Sequence, residues 1–246
     1  MIQLSILVPT VPSRLTTFYP RIMTEVLRQT ENYPEVEIIG LFDNKKRTIG
    51  QKRQDMLNLA RGKYLVFIDD DDRISEDYVK TIIEALNQYP ETDCVVFDCI
   101  CKLNGGYDKL CKYGVEFEYG DILGGTEWRG KPAHTMVYKS SIAKIHSYAD
   151  MNYKEDVHWV VRACVDIKHQ TRIDKVLYFY DAEYTTTSET AGLSDETINK
   201  NIKLKFKKYI FIKINDSYEY YISSIILRQF SLQISVEYFS IKHSRG

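Results

Sequence analysis

The chain has 246 residues, 44% hydrophobic and 27% charged, with a formal net charge of −1. This composition suits a globular protein of one large domain, or one domain with an appendage, and excludes a global electrostatic pull toward nucleic acid or anionic membrane. No apolar run reaches the ~20 residues that span a bilayer, and the opening "MIQLSILVPTVPSR" has neither the basic n-region nor the cleavage site of a signal peptide. Five cysteines without a CxxC spacing point to free thiols in a reducing, cytoplasmic setting. A zinc site from Cys99, Cys101 and Cys111 is the alternative to buried thiols there.

In chain order, "LSILVP" (4–9) is an apolar run of strand type, stopped by Pro9 and Pro12. Tyr19, Ile22, Met23 and Val26 then recur at helical spacing within 15–29. "VEIIGLFD" (36–43) predicts a second strand. Residues 48–61 predict a helix, with Gly62 where a glycine C-cap would stand. "KYLVFI" (63–68) predicts a third strand. Ser75 is placed to cap a helix whose apolar face is Val79, Ile82, Ile83 and Leu86. "DCVVFDCI" (93–100) predicts a fourth strand, and 104–133 read as loops and hairpins. A strand at 133–139, a short helix at 140–148, a helix at 155–165 and a strand at 175–184 follow. In the 155–165 helix, Val157, Val160, Val161 and Cys164 share a face.

Strands alternating with helices predict an α/β fold with a mostly parallel twisted sheet covered on both faces. In such sheets ligands bind outside the carboxyl ends of the strands. Asp43 stands at the end of one predicted strand, and four consecutive aspartates, Asp69 to Asp72, stand at the end of another. A turn that merely caps the next helix needs one or two acids. Four crowded carboxylates raise one another's pKa unless a cation compensates them. Mg²⁺ or Mn²⁺ takes one or two carboxylates and leaves its other positions to water and phosphate oxygens. The loop therefore predicts a metal-bridged diphosphate.

Four segments then occur in a telling order: "LSILVPTVPSR", a strand ending in Asp43, "GQKRQDMLNLARGKYLVFIDDDD", and a later "EDVHW". Ala60, Gly62, Tyr64, Phe67, Asp69, Asp71 and Asp72 fit the spacing A-x-G-x-Y-x-x-F-x-D-x-D-D. Over roughly residues 3–190 the chain resembles a family 2 glycosyltransferase of GT-A fold. The resemblance implies a Rossmann-like, mostly parallel sheet flanked by helices over 1–194, with a small C-terminal extension at 195–246. It implies sugar transfer from a nucleotide-diphosphate donor to an acceptor hydroxyl, with inversion. Pro9, Thr10 and Arg14 would line the nucleotide pocket. Asp43 would accept from the base, which suits uracil, although "DNKK" replaces the family's Asp-Gly-Ser type sequence. Gly50 and Arg53 fit loosely the family's Gly-x-x-x-Ala-Arg-Asn, and Lys52 or Arg53 would reach the diphosphate. Asp69 and Asp70 would sit in the donor pocket. Asp69 and Asp71 correspond to the DxD motif, with Asp71 the main ligand of Mn²⁺ or Mg²⁺. Asp156 would be the general base with Glu155 its neighbour. Without the resemblance, this pair would read as acids favouring a helix N-terminus.

Trp128 stacks on a sugar or base, or else packs internally. His134 is open as a further metal ligand or a structural histidine. The processive Q-x-x-R-W signature is absent. Six lysines in 200–213, with no acid before Asp216, read as a solvated surface element. The alternative is an anionic contact through Lys200–Lys213, extending to a modified-DNA acceptor. Glycan or protein acceptors and an oligomer stay open. The competing functions are a nucleotidyltransferase and a non-catalytic carbohydrate-binding module. "VPTVPSR" lacks the Gly-rich basic signature of the first, and the second would not need both Asp69-x-Asp71 and Glu155-Asp156.

Overall fold

In the computed structural model, residues 1–103, 108–118, 120–122, 126–152, 154–182, 212–214 and 217–223 are described. The first apolar run becomes β1 (Leu4–Thr10), buried at every position. Then come helix α1 (Phe18–Thr30), β2 (Val36–Phe42), α2 (Ile49–Leu59) and β3 (Tyr64–Phe67). β2 and β3 are also buried throughout, as strands covered on both faces must be. β4 (Arg73–Ile74), α3 (Tyr78–Gln88) and the long β5 (Cys94–Leu103) complete the first half. The second half adds β6 (Asp108–Tyr113), β7 (Gly120–Ile122), β8 (Glu127–Gly130), β9 (Val137–Lys139), α4 (Ser140–Ala143), α5 (Glu155–Ala163) and β10 (Gln170–Ala182). β11 (Ile212–Ile214) and β12 (Ser217–Ser223) follow.

One path of the sheet runs β11-β12-β2-β1-β3-β9-β5-β6-β8-β7, with β10 beside β5. β2, β1 and β3 are mutually parallel. β9 is inserted antiparallel between β3 and β5, so β5 again points the way of β3, and β10 pairs parallel with β5. The α/β, mostly parallel expectation holds. β12 joins the same sheet by pairing antiparallel with β2. The boundary expected at 194/195 and the lysine stretch lie outside the described residues, apart from 212–214. Among the described residues, no helix is long and apolar enough to cross a membrane.

α1 buries Tyr19, Ile22, Met23 and Val26, the predicted face. Tyr19 fits because β2 has a glycine beneath it: a Cβ on Gly40 would lie 2.0 Å from the Tyr19 hydroxyl oxygen. Three local expectations need correction. Gly62 is no left-handed cap. α2 ends at Ala60 in extended backbone, and the Gly62 N–H donates to Ser5 Oγ at 2.8 Å in a spot with no room for a Cβ. Ser75 does not begin α3, whose N-cap is Asp77. Arg73 and Ile74 pair with Phe179 and Tyr178 of β10, so the chain turns into the helix only after Ser75. The inner face of α5 is also rotated from the valine stripe. Glu155, Trp159, Val160 and Ala163 are buried, while Val157 and Val161 are exposed. Trp159 decides this. Its ring stacks on Tyr148 at 5.1 Å, and its indole N–H donates to the His146 carbonyl at 2.8 Å. A large ring with one polar edge is held more firmly than a valine.

All five cysteines are free thiols, with Cys99 opposite Cys111 across β5 and β6. They are not gathered as a zinc site would require.

Candidate active site

The carboxyl ends of β1, β2 and β3 lie side by side because the three strands are parallel and in register: Thr10 pairs with Phe42, and Leu7 with Phe67. The chain therefore leaves β1 at Thr10, β2 at Asp43 and β3 at Asp69 on one edge of the sheet. This is where the switch-point rule puts a ligand.

Asp43 is buried. Its Oδ1 pairs with Lys52 Nζ at 2.7 Å and accepts the Lys45 N–H at 3.2 Å. Lys52 Nζ also donates to the Thr10 carbonyl at 2.8 Å, and burial lowers its pKa against the pull of Asp43. Asp43 Oδ2 is buried with no hydrogen-bond partner. A buried, unpaired carboxylate oxygen is rare in a folded protein and marks a place for a donor.

The four aspartates have four different environments. Asp70 turns inward, accepting from Thr10 Oγ1 at 2.5 Å and Arg14 Nη1 at 2.6 Å. Burial still raises its pKa, opposed by Arg14 and Thr10. Asp71 is paired to Arg14 Nη2 at 3.0 Å, and its side chain keeps 15% exposure. Burial, aided by the charges of Asp70 and Asp69 and opposed by Arg14, pushes it up to about 6. Asp72 is buried. Burial and the charges of Asp69 and Asp71 drive its pKa well above the usual carboxylate range, although Tyr178 donates to its Oδ2 at 2.5 Å. Its Oδ1 has no partner. Asp69 goes the other way. Burial alone would raise its pKa, but Arg53 Nη2 at 2.8 Å on Oδ1 and His134 Nε2 at 3.1 Å on Oδ2 hold it well below the usual range.

Those two partners connect the acidic loop to α5. Arg53 Nε reaches Glu155 Oε1 at 3.2 Å, and His134 Nδ1 lies 3.4 Å from Asp156 Oδ2. Asp156 keeps 33% side-chain exposure. Burial pushes its pKa up, but the hydrogen bond and charge of His134 outweigh this and bring it down to about 2. Arg53 itself lies buried over the Phe67 ring, 5.1 Å from its centroid.

α2 delivers Lys52 and Arg53 because its N-terminus is docked on the segment before α5. Thr48 caps the helix by accepting the Gln51 N–H at 3.1 Å, and both side chains reach Asp150, at 2.7 and 2.8 Å. Gly50 is here a packing residue. Its N–H donates to the Met151 carbonyl at 3.1 Å, and a Cβ would lie 1.8 Å from the Ala149 carbonyl oxygen. Backbone must shift to admit a methyl group. Gly50→Ala is expected to cost about 1–3 kcal/mol, the range of overpacking a tight contact, read from the urea midpoint at unchanged m-value.

Sequence reasoning missed two residues. Arg21 donates to the carbonyls of Asp71 at 2.6 Å and Asp72 at 3.1 Å, and Tyr178 accepts the Asp69 N–H at 3.1 Å while holding Asp72. Both come from elements distant in sequence, and neither carries a local signal. Trp128 meets Tyr113 edge-on at 5.6 Å, the packing alternative. Among the described residues, no group of three or more His, Cys, Asp or Glu side chains is arranged to hold a metal. A cation that takes one or two carboxylates and completes its shell with phosphate needs no such group. Asp71 fits this role: it retains some exposure, and its neighbours add to the burial that disfavours its charge.

Residues 21–145 match the model of the family described as Glycosyl transferase family 2. No curated protein matches the chain in sequence. Among solved structures, S. aureus TarS 1-349 in complex with UDP superposes with a TM-score of 0.57 at 15% identity, over 82% of this chain and 72% of that one. The complex of TarS 1-349 with UDP-GlcNAc gives 0.55 at 15%, over 82% and 65%. A further S. aureus TarS structure gives 0.54 at 15%, over 74% of this chain and only 37% of that one. The chain thus spans little more than a third of that TarS chain. At this identity the likeness is one of fold, and the GT-A-type architecture implied by the sequence is borne out.

Proposed function

The chain belongs to glycosyl transferase family 2; from that premise we propose that it is a glycosyltransferase that moves a sugar from a UDP-linked donor to an acceptor hydroxyl, with inversion. One observation carries the reading. The acidic loop after β3 and the Glu155-Asp156 pair at the start of α5 belong to no common local motif, yet they converge through Arg53 and His134.

Each residue then has a part. Asp43 Oδ2, buried and unpaired, accepts from the base, and an imide N–H such as that of uracil suits it. Pro9 and Thr10 line the nucleotide at the end of β1. Arg14, Lys52 and Arg53 serve the donor pocket by holding Asp70 and Asp71, Asp43, and Asp69 in place, since each is already paired to those carboxylates. Asp71, with Asp69 beside it, would hold a divalent cation, Mn²⁺ or Mg²⁺, which would supply positive charge to offset that developing on the departing diphosphate. Asp156, ionised and partly exposed, takes the proton of the acceptor hydroxyl as its oxygen bonds to the anomeric carbon. The UDP and UDP-GlcNAc complexes of the structurally similar TarS support a uridine donor.

The test is calorimetric titration of UDP with and without Mn²⁺, on wild type and Asp71→Ala. Mn²⁺-dependent binding is expected in the wild type, weakened at least about 10-fold in the variant, the scale of losing one charge-assisted ligand. Absence of UDP binding in both conditions would sink the uridine assignment.

A further inference from the structure

His134 lies in the turn between β8 and β9, and the inserted strand β9 brings it to the site. β9 pairs antiparallel with β3, Leu65 opposite Tyr138. That antiparallel register carries the turn before β9 toward the carboxyl end of β3, where Asp69 stands. The imidazole is thereby lodged between two carboxylates: Nε2 is 3.1 Å from Asp69 Oδ2, and Nδ1 is 3.4 Å from Asp156 Oδ2. The Phe67 ring lies 6.5 Å away, tilted by 55°. Asp69 is fixed independently by Arg53 and by Tyr178, which accepts its N–H. Asp156 is held by fewer groups: besides a hydrogen bond from the Val157 backbone N–H, His134 is the side chain paired with it among the described residues.

We propose that His134 is a positioning residue that aims the Asp156 carboxylate, with Asp69 as its fixed support. The inference rests on the assignment of Asp156 as base. A ring held at one nitrogen by a fixed carboxylate presents the other nitrogen in a defined direction, as with histidines oriented by a partner on the far side of the ring. Misplacing a reacting group by about 1 Å can cost about 100-fold in rate.

The two nitrogens can be replaced separately. The side-chain amide of Asn stands near the position of Nδ1, and that of Gln near Nε2. His134→Ala, His134→Asn, His134→Gln and Asp156→Asn are compared on UDP-GlcNAc, following release of UDP, together with thermal midpoints and UDP affinity. His134→Ala should lower kcat by about 10- to 100-fold, with UDP affinity within about threefold of wild type. His134→Asn, which restores the contact to Asp156, should recover turnover. His134→Gln, which restores only the contact to Asp69, should recover the thermal midpoint without turnover. If turnover instead follows the thermal midpoint across the three variants, or His134→Ala turns over at the wild-type rate, the positioning role is overturned. Full turnover in Asp156→Asn overturns the base assignment itself, a result distinguishable from failure at His134 alone.

Discussion

Asp156→Asn should lower kcat by about 100- to 10,000-fold, the contribution of a positioned general base, while UDP binding stays near wild type. The substitution keeps the shape of the side chain and removes its ability to take a proton. Asp156 sits at the start of α5 with a third of its side chain exposed, so an acceptor can reach it and an amide there leaves no buried charge unpaired. The sign of the pH dependence follows from its environment. Burial pushes the carboxyl up, His134 outweighs it, and the value falls to about 2. Asp156 is therefore ionised throughout the range above about pH 4, and a fall in turnover between pH 5 and 7 belongs to another group. Its contribution to stability is present above the unfolded value and is lost as pH falls through about 2. Steady-state rates of the variant decide the matter: a kcat within threefold of wild type removes Asp156 from the chemistry.

Arg53→Ala should be the most destabilising single change at the site, by about 3–5 kcal/mol, the cost of breaking a buried ion pair from one side. Arg53 is 4% exposed and serves Asp69 and Glu155 together. Truncation leaves the buried Glu155 and the part-buried Asp69 without their shared cation and empties the space over the Phe67 ring. Arg53 and His134 hold the Asp69 carboxyl well below the usual range despite its burial. Its stabilisation is therefore present above the unfolded value of about 3.9 and is lost as pH falls toward the folded one. Urea unfolding from pH 3 to 7 should show wild-type stability falling on the acid side, and a shallower fall in Arg53→Ala. Equal stability of the two proteins at pH 7 would contradict this account.

The strands and most helices could be read from the chain because period and punctuation are local. β1, β2 and β3 are largely apolar runs buried throughout, and α1 and α3 bury the faces that helical spacing predicts. The α5 face could not be read this way. Its valines share a stripe at the right spacing, yet Trp159 and Glu155 turn inward because of partners on α2 and in the segment after α4. Gly62 had the look of a cap and is instead a point of close approach to Ser5, which only the β1–β3 pairing creates.

The candidate site divides along the same line. Strand ends and acid spacing are local patterns, and they marked the acidic loop and Asp43 as a place for a cation and a diphosphate; the roles of Asp43 and of the Glu155-Asp156 pair came from the resemblance to family 2 glycosyltransferases. Which aspartate meets which cation was decided by the tertiary structure. Four adjacent carboxylates with the same local chemistry separate into one held ionised by Arg53 and His134, one turned inward to Thr10 and Arg14, one paired to the other terminal nitrogen of Arg14, and one buried against Tyr178. Those partners arrive from β1, α2, the turn before β9, and β10. Their arrival depends on strand order and register, and neither is written in any short stretch of the chain.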